Sequence, residues 1–392
     1  MTLAEAPRLR IGIAGLGRAF SIMLPTLRAD PRVTVTAAAD PRPEARRRFT
    51  QDFGGRACDS VAALCADPQV DIIYVASPHQ HHAEHARLAA EHGKHLLVEK
   101  PIALTLDEAQ AMVAAARKAG IYLIVGHSHS YDAPILHARD LIASGQYGAV
   151  RMITALNCTD FLYRPRRPEE LDTALGGGAM FNQAPHQVDI VRLLGGGKVT
   201  TVRAMTGNWD TTRPTEGAYA ALLGFENGAF ASLVYNGYGH FDSDEFMGWI
   251  GEMGEQKQPR TTKIVRRFAD PAAEAAAKAA RAYGGSGWQP PPPRELLHQH
   301  FGMLLVSCDH AELRPLPTGV MIYENGVGRL DPLPAPAVPR VEVIDELYGA
   351  VIEGRPPLHD GAWATATMEV CLAMLRSSRE GREIPLQHQT SV

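Results

Sequence analysis

The strongest constraint on how this chain folds is a regular alternation of apolar and helix-like segments through its N-terminal part. The apolar runs Leu9–Ala14 and Val33–Ala39 read as strands, while Ala19–Ala29 and Pro43–Phe53 have helical spacing. Strands that alternate strictly with helices form a parallel sheet covered by helices on both faces. The same alternation predicts strands at Ile72–Ala76, His95–Val98 and Tyr122–Val125, and helices at Val61–Ala66, Glu84–Glu91 and Leu106–Ala119.

The pattern lapses at Gly126–Tyr131, and the sequence beyond it has a different character. Long runs rich in β-branched and aromatic residues are typical of a mostly antiparallel sheet in an α+β domain. A chain of 392 residues also exceeds the size of one ordinary core, so we predict an α/β domain at 1–128 and an α+β domain at 129–392. The second domain is predicted to contain strands at Val150–Asn157, Val199–Gly207, Glu216–Phe225 and Ala229–Tyr235, helices at Ile135–Ser144, Phe181–Leu194, Pro271–Tyr283 and Gly361–Arg379, and an extended run at Pro290–Pro293.

Composition favours a small-molecule partner. The formal net charge of −4, with 45% hydrophobic and 21% charged residues, gives no electrostatic reason to expect nucleic acid or a membrane surface. Met1–Arg10 lacks the apolar core of a signal peptide, and no apolar run reaches the ~18 residues that span a bilayer. Five scattered cysteines without a CxxC spacing indicate neither a disulfide framework nor a zinc site. We therefore expect a cytoplasmic protein.

A glycine-rich loop, GLGRAF, follows the first predicted strand. Gly15 allows a tight turn, and Gly17 lets the backbone approach a pyrophosphate. Arg18 and Ala19 follow, where the loop opens a helix whose N-terminus is offered to the phosphates. The usual third small residue is Phe20 here, so we expect Ala19 to provide the close packing between helix and strand. The loop is therefore predicted to bind a dinucleotide.

Asp40 ends the second predicted strand. A carboxylate at this place hydrogen-bonds the ribose 2′-hydroxyl of NAD and repels the 2′-phosphate of NADP. Arg42, Arg46 and Arg47 follow closely and leave the use of NADP open. NAD is the cofactor that the sequence predicts.

Lys100 follows the predicted strand His95–Val98 in the tripeptide Glu99-Lys100-Pro101. Ligands bind outside the carboxyl ends of parallel strands, so this lysine would face the cofactor crevice. An amine in a partly desolvated pocket loses its proton more readily, as a general base must. A lone lysine is more often a surface residue, and the catalytic interpretation rests on its companions.

Two further motifs accompany the lysine. One is ASPHQHH, after the strand Ile72–Ala76, and the other is GGGAMFNQAPHQVD, which begins at Gly176 and ends at Asp189. With the glycine loop and Glu-Lys-Pro, they resemble the glucose–fructose oxidoreductase, inositol dehydrogenase and rhizopine-catabolism (Gfo/Idh/MocA) family. The resemblance runs from Arg10 to about Tyr235 and returns in the C-terminal helix. It implies an NAD-binding Rossmann domain, an α+β substrate domain, dehydrogenase activity and a homo-oligomer, a dimer or a tetramer.

The resemblance also implies roles for individual residues. Lys100 would contact the substrate hydroxyl and the nicotinamide region, His186 would be the second acid/base group, and Glu99 would fix the cofactor end of the site. Many relatives carry Asp where this chain has Asn182, which cannot accept a proton. Residues i and i+4 of a helix share a face, so Asn182 and His186 are expected to point into one pocket. The residues implied to line the dinucleotide are Ser77, Pro78, His79 and His82.

Basic segments bear on the substrate. Arg164 and Arg166 lie just before the triple glycine, and His127, His129 and Tyr131 lie where the first predicted domain ends. A guanidinium group pairs both oxygens of a carboxylate in one plane, which favours a carboxylate substrate over a sugar. The alternative interpretations are a solvated basic loop for the arginines and a hydrogen-bonded core residue for His186.

The segments Tyr235–Glu245 and His300–Pro315 resemble the branch of the family that oxidises a phthalate cis-dihydrodiol. That resemblance implies oxidation of cis-4,5-dihydro-4,5-dihydroxyphthalate to 4,5-dihydroxyphthalate, and the two ring carboxylates would explain the arginines. An inositol- or sugar-type dehydrogenase is the first alternative, and a non-catalytic NAD-binding sensor is the second. The clustered histidines lack nearby carboxylate or thiolate partners in the sequence, so no metal is predicted.

Overall fold

The computed structural model describes residues 6–259, 268–290 and 295–392, which leaves most of the predicted proline run Pro290–Pro293 outside the described residues. Two compact units divide the chain. The first comprises Met1–His127, Ala276–Pro293 and Val338–Thr365, and the second comprises Ser128–Ala275, Arg294–Ala337 and Ala366–Val392. The predicted domains, 1–128 and 129–392, have a single boundary, whereas in the structure two later segments belong to the first unit. No helix in the described residues is long and apolar enough to cross a membrane.

The described part of the first unit contains a parallel sheet with the strand order β3-β2-β1-β4-β5-β6. Its strands are β1 Leu9–Ala14, β2 Val33–Ala39, β3 Arg56–Cys58, β4 Ile72–Val75, β5 His95–Val98 and β6 Leu123–Val125. The connecting helices are α1 Arg18–Ala29, α2 Pro43–Phe53, α3 Val61–Cys65, α4 His82–Glu91 and α5 Leu106–Ala119. The predicted α/β alternation is thus confirmed. The strand order reverses at β1, so the carboxyl ends of β1 and β4 flank the crevice where such sheets bind ligands.

The described part of the second unit contains a larger sheet with the order β14-β13-β12-β11-β7-β10-β9-β8-β15. Its pairings are antiparallel except between β7 and β10, so the predicted mostly antiparallel sheet is confirmed. The strands are β7 Val150–Cys158, β8 Val199–Gly207, β9 Ala218–Phe225, β10 Phe230–Asn236, β11 Met303–Cys308, β12 Glu312–Leu316, β13 Gly319–Glu324, β14 Val327–Pro332 and β15 Ile384–Pro385. The helices in the second unit are α6 Ala133–Ala143, α7 Gly178–Asn182 and α8 Ala184–Gly195.

Three more helices complete the described chain: α9 Pro271–Arg281, α10 Val341–Val351 and α11 Gly361–Glu380. Strands β11 to β14 were not predicted, and two of them carry weak sequence signals. Pro315 interrupts β12, and a proline within an apolar run argues against a strand. β14 is largely exposed, so its residues show no alternation of apolar and polar side chains.

The predicted single helix Phe181–Leu194 is wrong, because the chain forms two helices that break at Gln183. Pro185 has no N–H to bond the carbonyl of Phe181, and its ring would clash with that carbonyl in a continuous helix. Asn182 and His186 therefore lie on different helices and do not share a face. The Asn182 amide donates instead to the carbonyls of Gly176 and Gly178, at 3.3 and 2.9 Å.

Candidate active site

The turn after β1 has the geometry that a dinucleotide requires. Gly15 has φ +102°, and a Cβ at this position would lie 2.8 Å from the backbone nitrogen of Ser77. A Cβ at Gly17 would lie 3.9 Å from the carbonyl oxygen of Ala76, so space remains beside the second glycine. Gly17 also caps α1 without a side-chain hydrogen bond, which leaves the helix N-terminus to a ligand. This loop fits the phosphates of NAD.

The nonglycine residues of the loop differ in how far they are buried. Arg18 is exposed and Ala19 is half-buried. Phe20 is fully buried and packs edge-on against Tyr283, with the ring centroids 5.0 Å apart. Tyr283 belongs to the segment Ala276–Pro293 of the first unit. Its ring packs against Phe20, which explains why a large residue stands where the glycine motif usually has a small one.

Asp40 lies directly after β2 and is held by the glycine turn. The Leu16 N–H donates to its Oδ2 at 2.8 Å, while the backbone N–H and Nε of Arg42 donate to its Oδ1 at 2.9 and 3.0 Å. Arg42 Nη2 donates to Oδ2 at 3.1 Å and to the Leu16 carbonyl at 2.8 Å. Asp40 thus lies beside the loop, and Arg42 shares its acceptor positions.

The turn after β4 contains the residues expected to line the dinucleotide. Ser77, Pro78 and His79 are each half-buried, and the Ser77 hydroxyl lies 2.9 Å from Nδ1 of His85. His82 differs from the expectation, because its side chain has no exposed surface. Its ring nitrogens face two backbone carbonyls of the first unit, so it is a buried connection between turns and not a lining residue.

Glu99 and Lys100 follow β5 at the same edge of the sheet. Glu99 is 8% exposed, and the hydroxyl of the buried Tyr74 donates to it at 2.5 Å. Burial raises the pKa of Glu99, although Tyr74 and Lys100 both favour the carboxylate. Lys100 is half-buried at the start of the turn. His127, predicted to contact substrate, is buried as the last residue of the first unit and follows Gly126, whose N–H donates to the Val98 carbonyl at 2.9 Å.

In the second unit, a buried histidine lies between two carboxylates. His129 is 1% exposed, its Nδ1 lies 2.7 Å from Asp132, and its Nε2 lies 3.5 Å from Glu252. Burial by itself lowers the pKa of His129, but the two carboxylates outweigh it and raise the pKa to about 9. The imidazolium is thus compensated within the protein, which differs from its predicted contact with a substrate carboxylate.

His186 lies on α8 within an aromatic cluster that includes His129. The ring centroids of His129 and His186 are 4.8 Å apart, and Phe301 lies 5.2 and 5.1 Å from them. Tyr235 stacks on Phe301 at 6.2 Å, and its hydroxyl lies 2.7 Å from Thr159. These four rings form a closely packed cluster in which each residue is at most 7% exposed, so the acid/base group His186 has mostly aromatic surroundings.

The two predicted substrate arginines are not equivalent. Arg164 Nε donates to Asp160 at 2.8 Å, and its Nη2 stands 3.8 Å from Glu252, with 38% of the side chain exposed. Arg166 donates from Nη2 to the Phe161 carbonyl at 2.7 Å and lies 3.8 Å above the Phe161 ring. Arg164 therefore lies beside two carboxylates, whereas Arg166 contacts a carbonyl and an aromatic ring.

Sequence reasoning missed four side chains around these groups. Asp132, Glu252 and Tyr74 contact the predicted residues but lie outside the motifs. Phe301 lies within the segment His300–Pro315, where sequence reasoning assigned it no role of its own. Asp132 could have been predicted, because it follows His129 by three residues and lies directly after the segment Gly126–Tyr131. Glu252 and Phe301 are brought to His129 by the fold, and no local pattern predicts that approach.

Two family models match the chain in turn. The model described as "Oxidoreductase family, NAD-binding Rossmann fold" matches residues 9–127, and the model described as "GFO/IDH/MocA C-terminal domain" matches residues 135–255. The 1-carboxy-3-chloro-3,4-dihydroxycyclohexa-1,5-diene dehydrogenase of Comamonas testosteroni is 47% identical over 378 residues, which cover 95% of this chain and 95% of that relative. The chain therefore belongs to the Gfo/Idh/MocA oxidoreductase family and is an NAD-dependent dehydrogenase.

Solved structures agree with this assignment. A Bordetella bronchiseptica RB50 structure described as that of a putative dehydrogenase is 43% identical, has a TM-score of 0.91, and is matched over 97% of this chain and 100% of that one. The WlbA dehydrogenase of Bordetella pertussis, solved with NADH and UDP-GlcNAcA, is 22% identical with a TM-score of 0.66, over 97% of this chain and 99% of that one. The second likeness shows a shared fold.

The charged cluster predicts how stability depends on pH. The pKa of His129 is raised above its ordinary value, so its contribution to folding is complete below about pH 6.5 and is lost as the pH rises through about 9. Asp132→Asn removes one of the two carboxylates that raise this pKa. We expect it to lower the free energy of unfolding by about 2 kcal/mol near neutral pH and to flatten its decline toward about pH 9.5. Urea titrations across this range measure both effects.

Asp140→Asn is the matched control, because Asp140 is a 63% exposed carboxylate on the neighbouring helix α6. It should leave both the stability and its decline with pH as in the wild type. Equal slopes for the Asp132→Asn variant and the wild type would contradict the assignment of a charged His129.

Proposed function

We propose that this dehydrogenase oxidises a cis-dihydrodiol carried on a cyclohexadiene carboxylate, with cis-4,5-dihydro-4,5-dihydroxyphthalate as its particular substrate. The observation that carries the proposal is the near full-length likeness to a relative whose name describes a dihydroxycyclohexadiene with a carboxyl group. The rings of Phe301 and Tyr235 near His186 give this acid/base group apolar surroundings, which supports a cyclohexadiene ring as substrate. The partly exposed guanidinium of Arg164 supports a carboxylate on that ring.

The residues of this chain supply the proton chemistry of the proposed reaction. Bound NAD supplies the hydride acceptor, and Gly15, Gly17 and Asp40 would hold it. Lys100 takes the proton of one substrate hydroxyl as the C–H bond of the same carbon loses its hydride, so two electrons leave the diol. The hydroxy ketone that remains tautomerises to a catechol, with His186 as the second acid/base group. Aromatisation makes the overall oxidation favourable.

A substrate panel tests the proposal. NADH formation should be fastest with the phthalate cis-dihydrodiol, slower with a cyclohexadiene cis-diol that carries one carboxylate, and very slow with myo-inositol or glucose. Arg164→Ala should raise the KM of the phthalate diol by about 10-fold or more, because one charge-assisted pair is lost. Arg167→Ala is the control, since Arg167 pairs with Glu169 in the same loop.

Each other outcome of the panel contradicts a defined part of the proposal. Faster turnover of inositol or glucose would indicate a sugar-type dehydrogenase. A tenfold preference for the monocarboxylate would overturn the phthalate assignment but leave the reaction class. NADH binding without oxidation of any panel member would favour a sensor.

The role of Lys100 has its own test. Lys100→Ala should lower kcat by about 10²- to 10⁴-fold, and Lys100→Arg should not restore it, because a guanidinium does not give up its proton. Lys118→Ala, an exposed lysine on α5, should retain the wild-type kcat. Near-normal turnover by the Lys100→Ala variant would show that another group takes the proton.

We also propose that the protein works as a cytoplasmic homo-oligomer. All five cysteines lie in the described residues and are free thiols, as a reducing compartment would keep them. One face of the large sheet exposes Met205, Leu222 and Phe230 on the adjacent strands β8, β9 and β10. Contiguous apolar side chains of this kind mark interaction surfaces.

Light scattering after size exclusion tests the oligomer. The wild type should give a multiple of the 42.5 kDa chain mass, and Leu222→Glu should shift it toward one chain. Leu175→Glu replaces a similarly exposed leucine away from this sheet and should leave the mass unchanged. A wild-type mass of one chain would refute the oligomer.

A further inference from the structure

His82 connects two turns at the ligand-binding edge of the parallel sheet. It is the first residue of α4 and is fully buried. Its Nδ1 lies 2.9 Å from the carbonyl oxygen of Pro101, and its Nε2 lies 3.0 Å from the carbonyl oxygen of Ser77. The ring therefore bridges the turn after β4 and the turn after β5, which begins with Lys100.

The turn after β4 is itself fixed to the glycine loop. The Ser77 backbone nitrogen lies so close to Gly15 that a Cβ there would stand 2.8 Å from it. The Ala76 N–H donates to the Ala14 carbonyl at 2.9 Å, which joins the ends of β4 and β1. Because Ser77 is fixed in this way, the His82 ring, which contacts both Ser77 and Pro101, can hold Pro101 and the adjacent lysine in place.

The carbonyls of Pro101 and Ser77 differ in whether water could replace His82 as their hydrogen-bond donor. A neutral imidazole donates one N–H, and burial lowers the pKa of His82 against the carbonyl contacts, which favours the neutral ring. Pro101 is buried together with Ile102 and Ala103, whereas Ser77 is half-buried and accessible to water. A buried carbonyl without a donor costs about 1–3 kcal/mol, so the proton belongs on Nδ1, facing Pro101.

We propose that His82 is a positioning residue for Lys100, acting through a hydrogen bond from Nδ1 to the Pro101 carbonyl. The inference rests on the proposed function, in which Lys100 takes the hydroxyl proton. A hydrocarbon of similar size could fill the volume of the ring but could not bond Pro101. Loss of this bond frees the β5 turn, and a displacement of about 1 Å of a catalytic group costs on the order of 100-fold in rate.

Two amide variants separate the two hydrogen bonds. The amide nitrogen of Asn reaches about as far as Nδ1 of histidine, so His82→Asn can still donate to Pro101. The longer Gln places its amide near Nε2, so His82→Gln can donate to Ser77 and not to Pro101. The exposed neighbour His81, changed to Gln, is the matched control on the same segment.

The proposal predicts a loss of kcat without a loss of cofactor affinity. His82→Gln should lower kcat with the phthalate diol by about 10- to 100-fold, with the Kd for NADH, measured by fluorescence, within twofold of wild type. His82→Asn should recover most of the lost turnover. Thermal unfolding of each variant establishes that it folds, and His81→Gln should match the wild type throughout.

Several results would overturn the proposal. His82→Gln with kcat within twofold of wild type would show that the bond does not position the lysine. An equal loss in the Asn and Gln variants, or failure of both to fold, would assign His82 to the core alone. A rise in the Kd for NADH without a change in kcat would show that His82 contributes to dinucleotide binding. Lys100→Ala is measured beside these variants. Full turnover by Lys100→Ala would refute the proposed role of the lysine itself, whereas the results above would refute only the role of His82.

Discussion

The close approach of three turns at one edge of the parallel sheet is the constraint on which the rest of the first unit depends. Gly15 is in a left-handed conformation and leaves no room for a side chain against Ser77, so the turns after β1 and β4 pack backbone to backbone. The buried ring of His82 extends that packing to the turn that carries Lys100. The glycine loop and the candidate base Lys100 are thereby connected along one edge of the parallel sheet.

The second unit depends on charge compensation instead of close packing of backbone. His129 is held charged between Asp132 and Glu252, and its ring contacts His186. Burial alone would raise the pKa of Glu252, but His129 and Arg164 outweigh it and lower that pKa. The network therefore holds the buried His129 between two carboxylates, and its ring contact fixes the surroundings of His186.

The sequence predicted local structure well and long-range contacts poorly, for physical reasons. Helix α2 and strand β8 have the predicted bounds, because proline at a helix start and β-branched alternation are local signals. The break at Gln183 was readable from Pro185 but was outweighed by apolar periodicity. The approach of Glu252 and Phe301 to His129, and the burial of His82, come from sheet topology, which no short motif encodes.

In the proposed reaction, the enzyme takes a hydride from a carbinol carbon of a cis-dihydrodiol carboxylate. The most direct measurement is one turnover with the phthalate cis-dihydrodiol deuterated at its carbinol carbons, followed by mass spectrometry of both products. Hydride transfer from a carbinol carbon should leave one deuterium in the reduced cofactor and give a catechol as the organic product. A reduced cofactor without deuterium, or an unchanged diol under conditions where NAD is bound, would contradict it.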